Sequence, residues 1–497
     1  MIEGADGYRT DIGYVYGYHG ELNPLRVRLA FLNAGLQPPE IATACELGFG
    51  QGVSLVLHAA ASPVQWHGTD INPAHAAYAR TLAMASGTPV DIRHDSFVDF
   101  SGRDLPAFDY IGLHGVWSWI SDGNRATIVE FVRRHLKPGG VLYTGYNTLP
   151  GWAAFSPLRH LMVEHANRPG SAHRPIAERI DDAVDFSDRL LAAEPAFARD
   201  NPGTTAHIKA AKDEDRPYLA HEFFNRDWQP MHFTDVARAL APVGVGYVCA
   251  TDYSDHLEAA GWSASQRSLI DETDDAGLRE TVRDMIANQR FRRDYWVRGA
   301  KRLSAAERTE ALRLQRVIAV AHPLDFPFKV KAALALGQVE PGEAVCGPVI
   351  ERLADGKAWS LGQIEQALQP KGISIGQIAQ AVVLIASNGL IEAAQEDATT
   401  ARVRSRTDRL NAHLIAQAGT SDNVHALASP VTGGGIHASR KELLFLAEVL
   451  QGRRRPDDWA GHAAKVLATG ASIVDLTAAA HAFATDRLPL LRALQVV

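Results

Sequence analysis

Between about Ile41 and Gly151, short apolar runs alternate with stretches of helical periodicity. The runs are IATACELG, VQWHGTDI, VDIRHDSF, FDYIGLHG and GVLYTGYN, and this alternation predicts parallel βα units. Each run ends on small, polar or acidic residues, and open α/β sheets take their ligands at the carboxyl ends of their strands. Residues 1–155 are therefore read as a first, α/β domain. Beyond Trp152 the alternation stops. Residues 156–315 read as mostly helical, through IAERIDDAVDFSDRLLAAE and LRETVRDMIANQ, with one α/β excursion between YLAHEFF and VGYVCATD. In residues 316–400 the second of three helical patterns opens at Ser360-Leu-Gly-Gln363, a capping-box spacing. The stretch ISIGQIAQAVVLIASNGLIEAA then predicts a helix running into a strand, which suggests a winged-helix-like module. Residues 401–497 form another helical region, interrupted by the loop SPVTGGGIHAS.

A chain of 497 residues exceeds what one hydrophobic core normally supports, in keeping with several domains. Hydrophobic residues make up 46% and charged residues 22%, the balance of a soluble globular protein. The net charge of -7 lacks the positive field of a nucleic-acid binder, and positions 373–391 carry no Lys or Arg to meet phosphates. No nucleic-acid partner is expected. The three cysteines, Cys45, Cys249 and Cys346, lie far apart without metal-type spacing, so no metal site is expected and they read as reduced thiols of a cytoplasmic protein. The acidic N-terminus resembles no secretory signal, and no apolar run suits a membrane span.

The first run ends Glu46-x-Gly48-x-Gly50-x-Gly52. A dinucleotide fingerprint would place a pyrophosphate at this turn, but an acidic residue two positions before the first glycine repels phosphate and pairs with a cation. S-adenosylmethionine is cationic and carries no phosphate, and the glycines let the backbone approach it closely. Asp70, followed by Ile71, ends the second run, where a carboxylate accepts hydrogen bonds from ribose hydroxyls. The third run places Asp95 and Ser96 near the adenine and Phe97 against its ring, although Asp95 and Ser96 also fit a helix cap. Together these residues resemble the motifs of class I S-adenosylmethionine-dependent methyltransferases. That resemblance implies a Rossmann-like α/β domain followed by mostly α-helical domains.

Two further stretches narrow the family. FDYIGLHGVWSWI and LKPGGVLYTGYNTLPGW resemble segments of methyltransferases that carry a methyltransferase regulatory domain, among them the rickettsial-type protein lysine methyltransferases. YLAHEFF, QRFRRDYW and LASPVTGGG resemble later parts of the same family. The resemblance implies a helical dimerisation region, hence a homodimer, and a winged-helix-like middle domain. Two departures stand out: Glu21 occupies a position where the family carries an amide, and Trp117 replaces a tyrosine.

Methyl transfer is an in-line displacement that needs alignment, desolvation and an acceptor lone pair. The strand exits offer His114, Tyr146 and Asn147 as catalytic candidates, and Trp117, Trp119 and Tyr18 as walls of an acceptor pocket, with core packing the competing role for both tryptophans. The tyrosines from Tyr8 to Tyr18 suggest a lid that excludes water. His221 and Glu222 fall in one helical pattern from which either could face the cavity, but adjacent residues do not share a helix face, and no metal site is read there. The expected activity is methylation of protein lysine. A glycan or small-molecule acceptor and a noncatalytic S-adenosylmethionine sensor are the alternatives.

Overall fold

The computed structural model describes residues 7–9, 12–171, 173–257, 261–321, 342–467 and 472–497. Its centre is a seven-stranded sheet in the order β3-β2-β1-β4-β5-β7-β6. The strands are β1 (Thr43–Leu47), β2 (Gln65–Thr69), β3 (Val90–Arg93), β4 (Phe108–Leu113), β5 (Leu136–Asn147), β6 (Val245–Ala250) and β7 (Phe291–Arg298). The first five pair in parallel, and β7 runs antiparallel between β5 and β6. The chain order reverses between β1 and β4, so their carboxyl ends open the crevice in which such sheets bind ligands. β1 is buried along most of its length, as a central parallel strand covered on both faces must be.

The sheet does not end near residue 155. Its last two strands come from the stretch expected to be helical, and β6 lies in the α/β excursion between YLAHEFF and VGYVCATD. β7 escapes a pattern reading because Arg292 and Asp294, polar in sequence, are buried inside it as an ion pair.

Helix Val53–Ala61 is buried at every position. It packs on helix Pro73–Ser86, on helix Asp397–Gln417 and on a C-terminal hairpin. That hairpin, Ala426–Ser429 with Gly434–His437, replaces the loop expected at SPVTGGGIHAS. The middle region holds a three-stranded antiparallel sheet in which Arg316–Ala319 lies between Ile391–Ala393 and Trp359–Ser360. Helices Leu361–Leu368 and Ile375–Ser387 pack beside it, and each starts with a serine capping box. No described helix is long and apolar enough to cross a membrane.

Candidate active site

The exits of β1 to β4 surround one cavity of about 1150 Å³, open solvent at its mouth included. Its floor is the glycine turn. Gly48 and Gly50 adopt φ of 73° and 57°, a left-handed backbone that glycine takes without strain. A Cβ on Gly48 would stand 2.6 Å from Val116 Cγ2. Gly50 N–H donates to Asp70 Oδ2 at 2.8 Å, while Asp70 Oδ1 accepts from Asn72 N–H at 2.9 Å and lies 3.1 Å from His75 Nδ1. Asp70 thereby ties the turn after β1 to the exit of β2.

Glu46 is 3% exposed, and its Oε2 is buried without a hydrogen-bond partner. Burial, reinforced by the Asp70 charge, pushes its carboxyl up to about 8. An acid at a cavity wall with an orphaned oxygen fits a cationic ligand group, and the Gly48 turn leaves room for one where a side chain would intrude. These are the features an S-adenosylmethionine site requires. A consequence is measurable by calorimetry. A cation beside Glu46 lowers its pKa, so binding of S-adenosylmethionine releases a proton and tightens as pH rises from about 6 to about 8. Glu46→Gln flattens that slope.

Ile71, Asp95 and Phe97 line the same cavity, together with Glu46, Gly48, Gly50 and Asp70. The Asp95 carboxylate is held by two hydrogen bonds from Arg103, at 2.8 and 3.0 Å, and its backbone is pinned by Thr69 Oγ1. Gly52 and Ser96 do not line the cavity. Gly52 (φ 71°) brings helix Val53–Ala61 against Ala79, where a Cβ would come within 2.5 Å. Ser96 caps helix Phe97–Ser101 by accepting from Asp99 N–H.

Three of the acceptor candidates point elsewhere. Tyr146 is fully buried and donates its hydroxyl to Asp294 Oδ2 at 2.8 Å in the core between β5 and β7, because strand alternation turns it to the face away from the cavity. Trp117 packs in the same core, and its carbonyl accepts from Arg125. Tyr18 lies on the C-terminal hairpin, where a Cβ on Gly435 would meet its ring at 2.9 Å, and its hydroxyl is 3.2 Å from His58 Nε2. The glycines of VTGGG make room for that ring. Asn147, 2% exposed, is not a wall residue but sits behind one, beside Glu222.

His114 and Trp119 do line the cavity. His114 Nδ1 is 2.6 Å from Tyr143 Oη, and burial, together with the His19 and Arg293 charges, holds its pKa well below the usual range, so the ring is neutral at pH 7. The His19 ring stacks on it with centroids 3.8 Å apart. His19, Glu21 and His114 bring three potential metal donors within 4.8 Å of one another, although the two imidazoles stack and Glu21 pairs with Arg293 at 2.9 Å. The arrangement suits an anchor for the N-terminal strap.

That strap supplies Tyr8, Tyr14, Val15, Gly17 and His19 to the cavity wall. Gln51 Nε2 donates to Tyr14 O at 3.0 Å, and His19 N–H donates to Ser54 Oγ at 2.8 Å. Helix Arg216–Phe223 supplies both His221 and Glu222, near the end of the helix, where both neighbours reach the cavity. The spacing of this pair sets it aside only as a metal site, and nothing in the sequence assigns Glu222 a role of its own. The single polar pair His221-Glu222 inside the otherwise apolar YLAHEFF was the available signal.

Residues 44–140 match the family described as "Methyltransferase domain", and residues 215–298 match "Predicted methyltransferase regulatory domain". The latter span contains β6, β7 and the whole of the Glu222 helix, so the regulatory segment completes the catalytic sheet and one wall of the cavity. An uncharacterised protein of Synechocystis is 36% identical over 446 residues, covering 89% of this chain and 87% of its own. An uncharacterised protein of Rickettsia prowazekii is 33% identical over 143 residues, 28% of this chain and 57% of the other. The solved structure of PKMT2 from Rickettsia typhi in complex with AdoHcy shares the fold, with a TM-score of 0.69 at 17% identity, over 96% of this chain and 98% of the other. The chain belongs to the S-adenosylmethionine-dependent class I methyltransferases that carry a methyltransferase regulatory domain.

Proposed function

We propose that the protein methylates the ε-amine of lysine in a protein substrate. The observation that carries this is the wall contributed from the exit of β4 and from the strap: Trp119, Tyr8 and Tyr14, adjoining the residues after β1 to β3 in one cavity. Aromatic faces hold an ammonium ion, and an apolar setting lowers an amine's pKa, so the same wall receives the acceptor and helps it lose its proton. The resemblance to the rickettsial-type protein lysine methyltransferases supports the same acceptor. S-adenosylmethionine, when bound, supplies an electrophilic methyl group on a sulfonium. Glu46, Gly48 and Gly50 hold its methionine part, Asp70 its ribose, and Ile71, Asp95 and Phe97 its adenine. The chain's remaining task is to position the acceptor and exclude water.

The strap does the second of these. Removing residues 1–20 deletes the Tyr8, Tyr14 and His19 contacts and is expected to weaken S-adenosylmethionine binding by roughly tenfold in calorimetry, on the order of one immobilised wall. Unchanged affinity would remove the lid. Within the same proposal the chain divides into units of 1–155, 156–315, 316–400 and 401–497, the second of which lends β6 and β7 to the sheet of the first. The middle unit is winged-helix-like, in keeping with its small sheet and capped helices, and the protein works as a cytoplasmic homodimer. The acceptor is identified by incubating the protein with methyl-labelled donor and cell fractions, then mapping label by mass spectrometry. Label on lysine is the expected result. Label in glycan or lipid contradicts the lysine assignment, and tight donor binding without any transfer points to a sensor.

A further inference from the structure

The donor residues leave one carboxylate of the cavity without a task. We propose that Glu222 is the acceptor-side catalytic residue: its carboxylate receives the incoming amine as an ammonium ion and then takes its proton. This rests on the amine-methylation reading above and names the group that would perform its first step.

Placement is the first support. Glu222 lines the cavity together with Tyr14 and Trp119, and its part-exposed edge is the one that meets the cavity, since protein surrounds it otherwise. No ion pair closes on it among the described residues. Arg290 acts on it only through space and rests its guanidinium on the Trp152 ring, 4.5 Å from the centroid. The Asn147 amide lies beside it, near enough to favour its ionised form but outside good hydrogen-bond geometry. A carboxylate facing a ligand cavity with its cation missing is suited to a cation that arrives with the substrate.

Rigidity is the second. Glu222 O accepts from Trp119 Nε1 at 3.1 Å, which fixes the indole against the helix end. Arg159 donates to Phe223 O at 2.7 Å and to Asn225 O at 2.6 Å, and Asn225 Nδ2 donates to His221 O at 2.6 Å. A helix end clamped on both flanks holds its side chains in place, as a functional group requires. Burial also pushes the Glu222 carboxyl up to about 7, against the opposing pull of Asn147 and Arg290. That brings it nearer to an ammonium ion and makes the proton's passage less uphill. The titratable groups around it are Tyr14 of the strap, Tyr218 of its own helix, its neighbour His221 and Arg290. Both tyrosines are held above their usual range, first by burial and then by Glu222, so they stay neutral at pH 7.

The step balances. An N–H bond of the ammonium breaks, its electron pair stays on nitrogen, and the proton forms an O–H bond on the Glu222 carboxylate. Net charge is unchanged, and a neutral amine with a free lone pair remains.

The test uses the full chain saturated with S-adenosylhomocysteine and titrated with n-butylamine, a lysine side-chain mimic, by ligand-observed NMR. n-Butanol is the uncharged control. Glu222→Gln is expected to weaken amine binding by roughly tenfold while leaving n-butanol within about twofold, and wild-type amine affinity is expected to rise between about pH 6 and pH 8 as the carboxylate ionises. Equal amine affinity in Glu222→Gln and wild type, or no amine binding by wild type at pH 8, overturns the role. Should the variant fail to fold by circular dichroism, the wild-type profile decides, and a flat or falling profile overturns it. Lysine labelling without Glu222-dependent amine binding leaves the functional reading standing and removes this one. Glu222-dependent amine binding without lysine labelling does the reverse.

Discussion

Asp70→Ala is expected to weaken S-adenosylmethionine binding by about 100-fold or more, because each charge-assisted hydrogen bond contributes ~1.5–3 kcal/mol and every 1.4 kcal/mol is tenfold. Asp70 holds the Gly50 and Asn72 N–H groups and the His75 ring at 2.8, 2.9 and 3.1 Å. Its loss therefore removes a ligand partner and also releases the turn that shapes the donor site. Asn72 caps helix Pro73–Ser86 through its own side chain, so the helix itself should persist and the defect should stay local. Asp95→Ala provides the comparison. Its carboxylate is already held by Arg103 at the cavity wall, and the loss there is expected to stay within about tenfold. Calorimetry on both variants, with circular dichroism as a fold control, reads the difference. Wild-type affinity in Asp70→Ala would contradict the placement of the ribose.

The largest stability effect is expected at Arg292. Its guanidinium contacts Asp294 at 2.8 Å, Asp284 at 2.7 Å and Glu280 at 2.9 Å, and all four residues are buried. It also stacks 4.6 Å from the Phe233 ring centroid, and Tyr146 completes the network through Asp294. The cluster joins β5, β7 and helix Ala276–Ala287, so it fastens the regulatory segment to the catalytic sheet. Arg292→Met leaves Asp284 and Asp294 buried without their cation, while Glu280 keeps only Arg283 at 3.0 Å. Breaking a buried pair in this way costs about 3–5 kcal/mol, a fall in Tm of roughly 10 °C at the usual 2–4 °C per kcal/mol. The sign of the pH dependence is fixed by the same carboxylates. Burial already pushes Asp284 up to about 6 in the intact cluster, and without the arginine the acids are easier still to protonate. Protonation relieves the buried charge, so the deficit of the variant shrinks as pH falls from 7 to 5. A wild-type melting curve for Arg292→Met would show that the cluster does not hold these parts together.

The gathering of the strand-end residues of β1 to β3 at one cavity was legible because it is local. Glu46, the glycine turn, Asp70 and the residues after β3 each follow a short apolar run directly, and position at a strand end is what brings them to the crevice. The acceptor half was not. Whether Tyr146 faces the cavity or the core depends on β7, which pairs with β5 from far along the chain, and on Asp294 within it. Trp117 and Trp119 lie two residues apart in one short turn, yet only Trp119 reaches the cavity, because the Glu222 carbonyl receives its indole N–H. Tyr18 is drawn to glycines of the C-terminal hairpin, a contact no local pattern announces. Polar residues inside β7 disguised a core strand as helix surface, and with it the fact that the sheet runs on past residue 155.

The most direct measurement is a crystal structure of the full chain with S-adenosylhomocysteine. The amino-acid portion is expected against Glu46 and Gly48, the ribose at Asp70, the adenine beside Ile71 and Phe97, and the sulfur open to the space bounded by Tyr14, Trp119 and Glu222. A ligand bound outside this cavity, or one whose sulfur faces away from Glu222, would contradict this placement.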